Sequence, residues 1–254
     1  MFAAHSLTIL AGMFVLAACP VAFGQATAPS TRPAKVFLLI GQSNMSGRAP
    51  LAPGDDQPIP GVLLLNGRGR WEPATNPLNR YSNGPDNKRP QFGPGDSFAR
   101  AVLKADPQVT IGLIVNARGG SKIEEWARGQ HLYEKSMQRL KAVEGLRLTA
   151  VLWHPGESNA KDDEYLARLV QLVQDLRQDL RQPDLPFIAG EVGGDLPVNG
   201  QIRLLPTKLP GTAVAGAQNP KRFDAFHFDR ASQVTLGQRY AEALARVGQR
   251  ADER

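Results

Sequence analysis

The sequence predicts an α/β fold, a three-layer α/β/α sandwich whose central sheet is mostly parallel. Three observations carry that expectation. Short apolar runs alternate with amphipathic stretches from Lys35 onward, the order in which parallel strands and their covering helices follow one another. The clearest amphipathic stretch sets Leu166, Leu169, Val173, Leu176 and Leu180 three and four residues apart, with Arg, Gln and Asp between them. The composition, 42% hydrophobic and 21% charged over 254 residues, suits one domain with a full core.

In chain order, residues 1–26 read as a secretory signal peptide. The stretch 7–18 is almost wholly apolar, too short to span a bilayer, and is followed by small residues, so that cleavage after Gly24 or Ala26 fits. No Lys or Arg precedes Arg32. The sole cysteine, Cys19, closes Leu16-Ala17-Ala18-Cys19, which resembles a bacterial lipobox. Two readings stand open: a lipid anchor on Cys19, or a small apolar residue in a discarded leader, with Pro20 awkward for the anchor. Either way the mature body has no disulfide. The expected location is outside the cytoplasm, periplasmic or extracellular. Residues 27–34, rich in Pro, Ser and Thr, read as a disordered lead-in.

The body is expected to form strands over 36–40, 62–65, 110–116, 149–153, 187–192 and 212–217, and helices over 97–105, 132–144, 162–181 and 232–247. The leucine stripe of the third helix is core, not a cofactor box. The stretch 51–95 is rich in Pro, Gly, Asn and Asp, with one strand in it. Loops of this length are usually functional, and this one is expected over the site. The formal net charge of +6 comes from scattered arginines without a basic block, which excludes a nucleic-acid partner. No cluster of His, Cys and carboxylates has metal spacing, so neither a metal nor a cofactor is expected.

The chemistry is carried by four blocks. Gly41-Gln42-Ser43-Asn44-Met45 follows the first strand, so Ser43 sits at a strand's C-terminal end, where open α/β sheets place their sites. Ser43 is a nucleophile if a base reaches it, or else a cap for the helix that follows. Gly119 and Gly120, after another strand, suit either an oxyanion hole or a tight turn. Trp153-His154-Pro155-Gly156-Glu157-Ser158-Asn159 again leaves a strand end. In Asp224-Ala225-Phe226-His227, a carboxylate three residues ahead of a histidine can hold one ring nitrogen while the other faces a serine.

Together these blocks resemble the SGNH/GDSL hydrolase superfamily, and within it the sialate O-acetylesterase-like branch that includes the acetylxylan esterases of carbohydrate esterase family 6. That branch carries Gly-Gln-Ser-Asn-Met, Gly-Gly-Ser/Thr-x-Ile-x-x-Trp, Trp-His-Gln-Gly-Glu-x-Asp and Asp-x-x-His. This chain reads GQSNM at 41–45, GGSKIEEW at 119–126, WHPGESNA at 153–160 and DAFH at 224–227. The resemblance spans about residues 35–248 in the expected order and implies a flavodoxin-like SGNH fold, with the esterase domain expected over 35–250. It implies Ser43 as nucleophile, His227 as base and then acid, Asp224 as its orienting carboxylate, and Glu157 as an alternative or supplementary acid. It also implies an oxyanion site built on the N–H groups of Ser43 and Gly120. The expected activity is removal of O-acetyl groups from an acetylated carbohydrate, without cofactor.

One departure stands out. Where the family has a glutamine that donates to the oxyanion, this chain has Pro155, which lacks both a side-chain donor and an N–H. Gln42, Asn44 and Asn116 are the candidate substitutes; failing them, the alternative is a catalytically impaired carbohydrate-binding protein on the same fold. Trp126, Trp71, Tyr81 and Trp153 can stack on sugar rings, though Trp126 and Trp153 suit core packing equally. Arg118 is placed to bind an acidic sugar or simply to face solvent.

Overall fold

The computed structural model describes residue 1, residues 32–82 and residues 91–252. The expected leader with Cys19, the lead-in up to residue 31 and residues 83–90 of the long loop lie outside the described residues. The elements follow in the order β1 (Lys35–Gly41), α1 (Ser43–Ser46), β2 (Val62–Leu65), β3 (Trp71–Pro73), α2 (Gly95–Ala105), β4 (Ile111–Ala117), α3 (His131–Lys141), β5 (Ala150–His154), α4 (Tyr165–Asp179), β6 (Phe187–Gly190), α5 (Pro197–Lys208), β7 (Thr212–Ala215) and α6 (Arg230–Asp252). Single 3₁₀ turns lie at Ile123–Trp126 and Glu157–Asn159.

Seven strands form one sheet in the order β3-β2-β4-β1-β5-β6-β7. Only the short edge strand β3 runs antiparallel, against β2. Because successive side chains on a strand point to opposite faces, β1 feeds two cores. Val36, Leu38 and Ile40 pack with Leu132 and Tyr133 of α3, Leu169, Leu172 and Val173 of α4, and Ile202 and Leu205 of α5. Phe37 and Leu39 pack on the other face with Phe98 and Ala99 of α2, and Leu236, Tyr240 and Ala243 of α6. The three-layer sandwich expected from the sequence is therefore the observed architecture.

The six expected strands and four expected helices are all present, the strand at 62–65 with the expected ends and the others with shifted ends. Beyond the single turn α1 that follows the first strand, two elements were not expected. Helix α5 contains Pro197, Gly200 and Pro206, residues that argue against a helix; Pro197 falls in the first turn, where its missing N–H is harmless. Its buried residues Val198, Ile202 and Leu205 nevertheless recur at helical spacing. Strand β3 is three residues long and carries no period of its own. The strand order turns at β1, between β4 and β5, and ligand sites of such sheets lie at the carboxyl ends of the strands flanking that point.

Candidate active site

Hydrogen bonds bring three strand ends to one level. Gly41 stands opposite Ala117 of β4 and His154 of β5. Just beyond, Gln42 N–H donates to His154 O at 2.8 Å and Arg118 N–H donates to Gly41 O at 2.8 Å. The blocks at 42–45, 118–126 and 155–159 therefore leave the sheet side by side. Gly41 is required here: its φ is +130°, and a Cβ would collide with the His154 carbonyl.

Ser43 is the first residue of α1 and is 7% exposed; the cap position belongs to Gln42, so Ser43 does not act as a helix cap. Its neighbour Asn44 joins the site to the loop after β7. Asn44 Nδ2 donates to Phe226 O at 3.2 Å, and Asn44 Oδ1 accepts from Phe228 N–H at 3.0 Å and Gln233 Nε2 at 3.1 Å. His227 lies between those two anchored residues, so the side chain next to Ser43 holds the backbone on both sides of the histidine.

His227 Nδ1 lies 2.6 Å from Asp224 Oδ2, while Asp224 Oδ1 accepts from the N–H groups of Phe226 (2.8 Å) and His227 (2.7 Å). Burial alone would raise the Asp224 pKa, but these hydrogen bonds outweigh it and hold the carboxyl at about 2. Asp224 is therefore charged throughout the neutral range. Glu157 behaves oppositely. Burial pushes its pKa up, and Asp224 adds to the rise, against its own backbone N–H and the charges of His227 and Arg222. Its Oε1 is buried without a hydrogen-bond partner. Of the two carboxylates, Asp224 is the one hydrogen-bonded to the histidine.

Gln42 is a tie between blocks. Its Nε2 donates to Ser121 O at 2.5 Å and to Ser158 Oγ at 2.6 Å, and Ser158 Oγ donates to Gly120 O at 3.2 Å. Its side chain also fills the space a Cβ at Gly156 would need. Both of its amide hydrogens are thus committed, as are those of Asn116, which donate to Leu132 O (3.3 Å) and Ser136 Oγ (2.7 Å). Of the substitute donors considered, Asn44 alone keeps an amide hydrogen beyond those bonds. Gly119 and Gly120 form the turn after β4; Gly120 has φ +76° and open space where a Cβ would stand.

Of the aromatic side chains considered for sugar stacking, Trp126 and Trp153 are enclosed, and Trp71 and Tyr81 are half-buried. Trp126 is 1% exposed, donates from Nε1 to Ser121 Oγ at 3.1 Å, and packs edge-on against the buried Trp153 at 5.5 Å. A tryptophan so enclosed offers a sugar no face, so Trp126 supports the turn that carries Gly120. Trp71 belongs to the edge strand β3 and packs on the core, and Tyr81 gives its hydroxyl to Glu72 at 2.7 Å. Arg118 Nη1 lies 2.9 Å from His131 Nε2 on the exposed rim.

The sequence reasoning missed Asn79. Buried in the long loop, it donates to Ser46 Oγ (2.7 Å) and Ala117 O (2.9 Å) and accepts from Ala117 N–H (3.0 Å), locking α1 to the end of β4. The loop therefore buttresses the site around residues 76–82. His154 is fully buried: its Nδ1 faces Tyr240 Oη at 3.2 Å, and burial lowers its pKa to about 3, which keeps it neutral. Among the described residues, no group of three or more His, Cys, Asp or Glu side chains is placed to hold a metal ion.

This arrangement, with a serine after the first strand and an Asp–His pair on the loop before the last helix, has the fold of the SGNH hydrolases. NanS has the same fold, with a TM-score of 0.66 at 18% identity, over 87% of this chain and 99% of that one. More narrowly, the chain belongs to the family described as carbohydrate esterase, sialic acid-specific acetylesterase, whose model matches residues 33–246. A protein of Arabidopsis thaliana named a probable carbohydrate esterase is 34% identical over 237 residues, covering 83% of this chain and 90% of that protein. An X-ray structure of the Arabidopsis protein superposes with a TM-score of 0.75 at 32% identity, over 85% of this chain and 99% of that one. A carbohydrate acetylesterase from Xanthomonas citri shares the fold with a TM-score of 0.61 at 23% identity, over 85% of this chain and 57% of that one.

Proposed function

We propose that this carbohydrate esterase family member is a serine esterase that removes O-acetyl groups from a carbohydrate through an acyl-enzyme on Ser43. One observation carries the reading. Asn44, next to Ser43, anchors both neighbours of His227, and His227 Nδ1 is hydrogen-bonded to a carboxylate that stays charged.

In this reaction Ser43 Oγ bonds to the acetyl carbon as His227 Nε2 takes the hydroxyl proton, and the carbonyl oxygen becomes the oxyanion. N–H groups of Ser43 and Gly120 receive that charge. The bond to the sugar oxygen then breaks, and that oxygen leaves with the proton from His227. Water repeats the cycle: His227 takes its proton, acetate departs, and Ser43 Oγ regains a hydrogen. Asp224 fixes the tautomer with the proton on Nδ1 and balances the imidazolium that forms.

The apolar run at 7–18 supports action outside the cytoplasm, which suits a polymeric acetylated glycan such as xylan or a sialate-type sugar. A second reading, a glycan-binding protein with impaired hydrolysis, is favoured by Pro155 alone. Hydrolysis of p-nitrophenyl acetate by the full chain, beside Ser43→Ala, tests the proposal. The esterase reading expects a loss of about a thousandfold or more in kcat/KM. Equal rates in the two proteins would overturn it.

A further inference from the structure

Among the described residues, five large hydrophobic side chains remain exposed, Met1, Leu51, Leu204, Phe223 and Phe226. The two aromatic ones stand on the same short loop, on either side of Asp224. Phe223 is 48% exposed and Phe226 53%. The Phe223 ring lies nearly parallel to the His227 imidazole, with centroids 5.9 Å apart and planes at 22°. Phe226 stands edge-on to the same imidazole at 6.5 Å and 78°.

These rings are not exposed because the loop is loose. Phe223 N–H donates to His227 O at 3.1 Å, Arg222 pairs with Phe228 in an isolated bridge, and Arg222 Nη1 donates to Ala225 O at 3.1 Å. Phe226 is fixed on both sides of its peptide, its N–H by Asp224 Oδ1 and its carbonyl by Asn44 Nδ2. The loop thus holds two phenyl rings in water beside the imidazole, where each forgoes the gain of burial. Aromatic side chains set rigidly around a few polar groups are the usual lining of a small-molecule site.

The position of the rings says which part of the substrate they meet. In acyl transfer the histidine hands its proton to the departing oxygen, so the alcohol half of the ester lies against the imidazole. The acyl group lies instead toward the oxyanion donors. Rings that flank His227 therefore touch the leaving alcohol. For a carbohydrate ester that alcohol is a sugar ring, whose C–H faces are apolar and whose hydroxyls point outward from the edge. We propose that Phe223 and Phe226 form the leaving-group subsite, an aromatic seat for the sugar ring that carries the acetyl ester. This inference rests on the esterase reading and assigns the alcohol specificity of that same site.

The test compares kcat/KM for chemically acetylated xylotriose, methyl glucoside and N-acetylneuraminic acid with that for ethyl acetate, which has no ring. The proteins are the full chain and its Phe226→Ala, Phe226→Tyr and Phe223→Ala variants. The wild type is expected to prefer at least one sugar ester. Phe226→Ala and Phe223→Ala should each lower that sugar-to-ethyl ratio tenfold or more, chiefly through KM, and Phe226→Tyr should restore it. The preference among acetyl, propionyl and butyryl esters of one alcohol should not move. A ratio unchanged in both alanine variants would overturn the proposal, because rings that merely steady His227 slow every ester alike. So would a wild type with no sugar preference, or a change of oligomeric state in Phe226→Ala with the ratio intact. If no ester is hydrolysed, the esterase reading fails by itself. Calorimetric titration with xylotriose and N-acetylneuraminic acid then decides the subsite: binding weakened by Phe226→Ala keeps it, and absent or unaltered binding overturns it.

Discussion

At the scale of single residues, the site depends on how each carboxylate is solvated and paired. Asp224 accepts two backbone N–H groups and the His227 ring, whereas Glu157 leaves one oxygen buried and unpartnered. Asp224→Asn is therefore expected to lower kcat by about a thousandfold or more, since an amide there favours the wrong imidazole tautomer. Glu157→Gln should cost less, and steady-state kinetics on the two variants ranks them; a larger loss for Glu157→Gln would reverse the assignment. Pro155 is the other decisive residue. A lost oxyanion donor costs about 2.7–4 kcal/mol. Pro155→Gln should raise kcat on p-nitrophenyl acetate by about tenfold or more if the donor is missing, allowing for imperfect alignment of a grafted amide. An unchanged rate would mean that the remaining Asn44 hydrogen, or another group, already fills the role. The Asn at 159 is also explained by its surroundings: its Nδ2 donates to Glu124 (3.1 Å) and Asp162 (3.1 Å), where an aspartate would face two carboxylates. The Asp224–His227 pair was legible in the sequence because three residues separate its members, whereas Ser43, far away in the chain, stood out only through its own block at the end of a strand. Phe223 and Phe226 were not recognised, because exposure is decided by the tertiary path of a loop. For the same reason the sequence left Trp126 open between sugar stacking and core packing, since a Trp beside a site and a Trp beneath it look alike in one dimension.

At the scale of elements, the site is a consequence of register. Pairing Gly41 with both Ala117 and His154 makes three loops start together, and a β1 that slipped by one residue would exchange the side chains fitted to its two cores and carry Ser43 out of line with the other loops. Gly41→Ala attacks that junction: it demands a positive φ of an L-residue and drives a Cβ into the His154 carbonyl. It is expected to cost about 2 kcal/mol or more of stability, read as a lowered urea midpoint, with activity falling alongside. A midpoint within error of the wild type would show that β1 and β5 can separate there without penalty. The long apolar strands were legible because each is a continuous run flanked by turn residues. Helix α5 was hidden by its prolines, β3 by its brevity, and Asn79 by its place in a polar loop whose tertiary contacts no local pattern reports. Its bonds to Ser46 and Ala117 are what make the loop part of the site.

At the scale of the whole molecule, the fold buries the imidazole of His154 completely, and that burial makes stability pH-dependent. His154 has a pKa of about 3 in the folded chain against a reference value of 6.5, because burial opposes its charge. Above 6.5 the ring is neutral in both states and contributes no pH dependence. Below it the unfolded chain takes up a proton that the folded chain refuses, so stability is lost as pH falls from 6.5 toward 3. The slope from this one residue approaches about 1.4 kcal/mol per pH unit, or about 2 kcal/mol by pH 5. A His154→Gln variant, whatever its stability at neutral pH, should lose that slope in urea unfolding between pH 7 and 5; an unaltered slope would assign the acid sensitivity to other groups. The proposed mechanism requires Ser43 to be the nucleophile, which covalent trapping reads out at a single residue. The full chain treated with a fluorophosphonate and mapped by peptide mass spectrometry should carry the adduct on Ser43, with labelling lost in His227→Ala. An unlabelled Ser43, or label on another serine, would rule Ser43 out as the nucleophile.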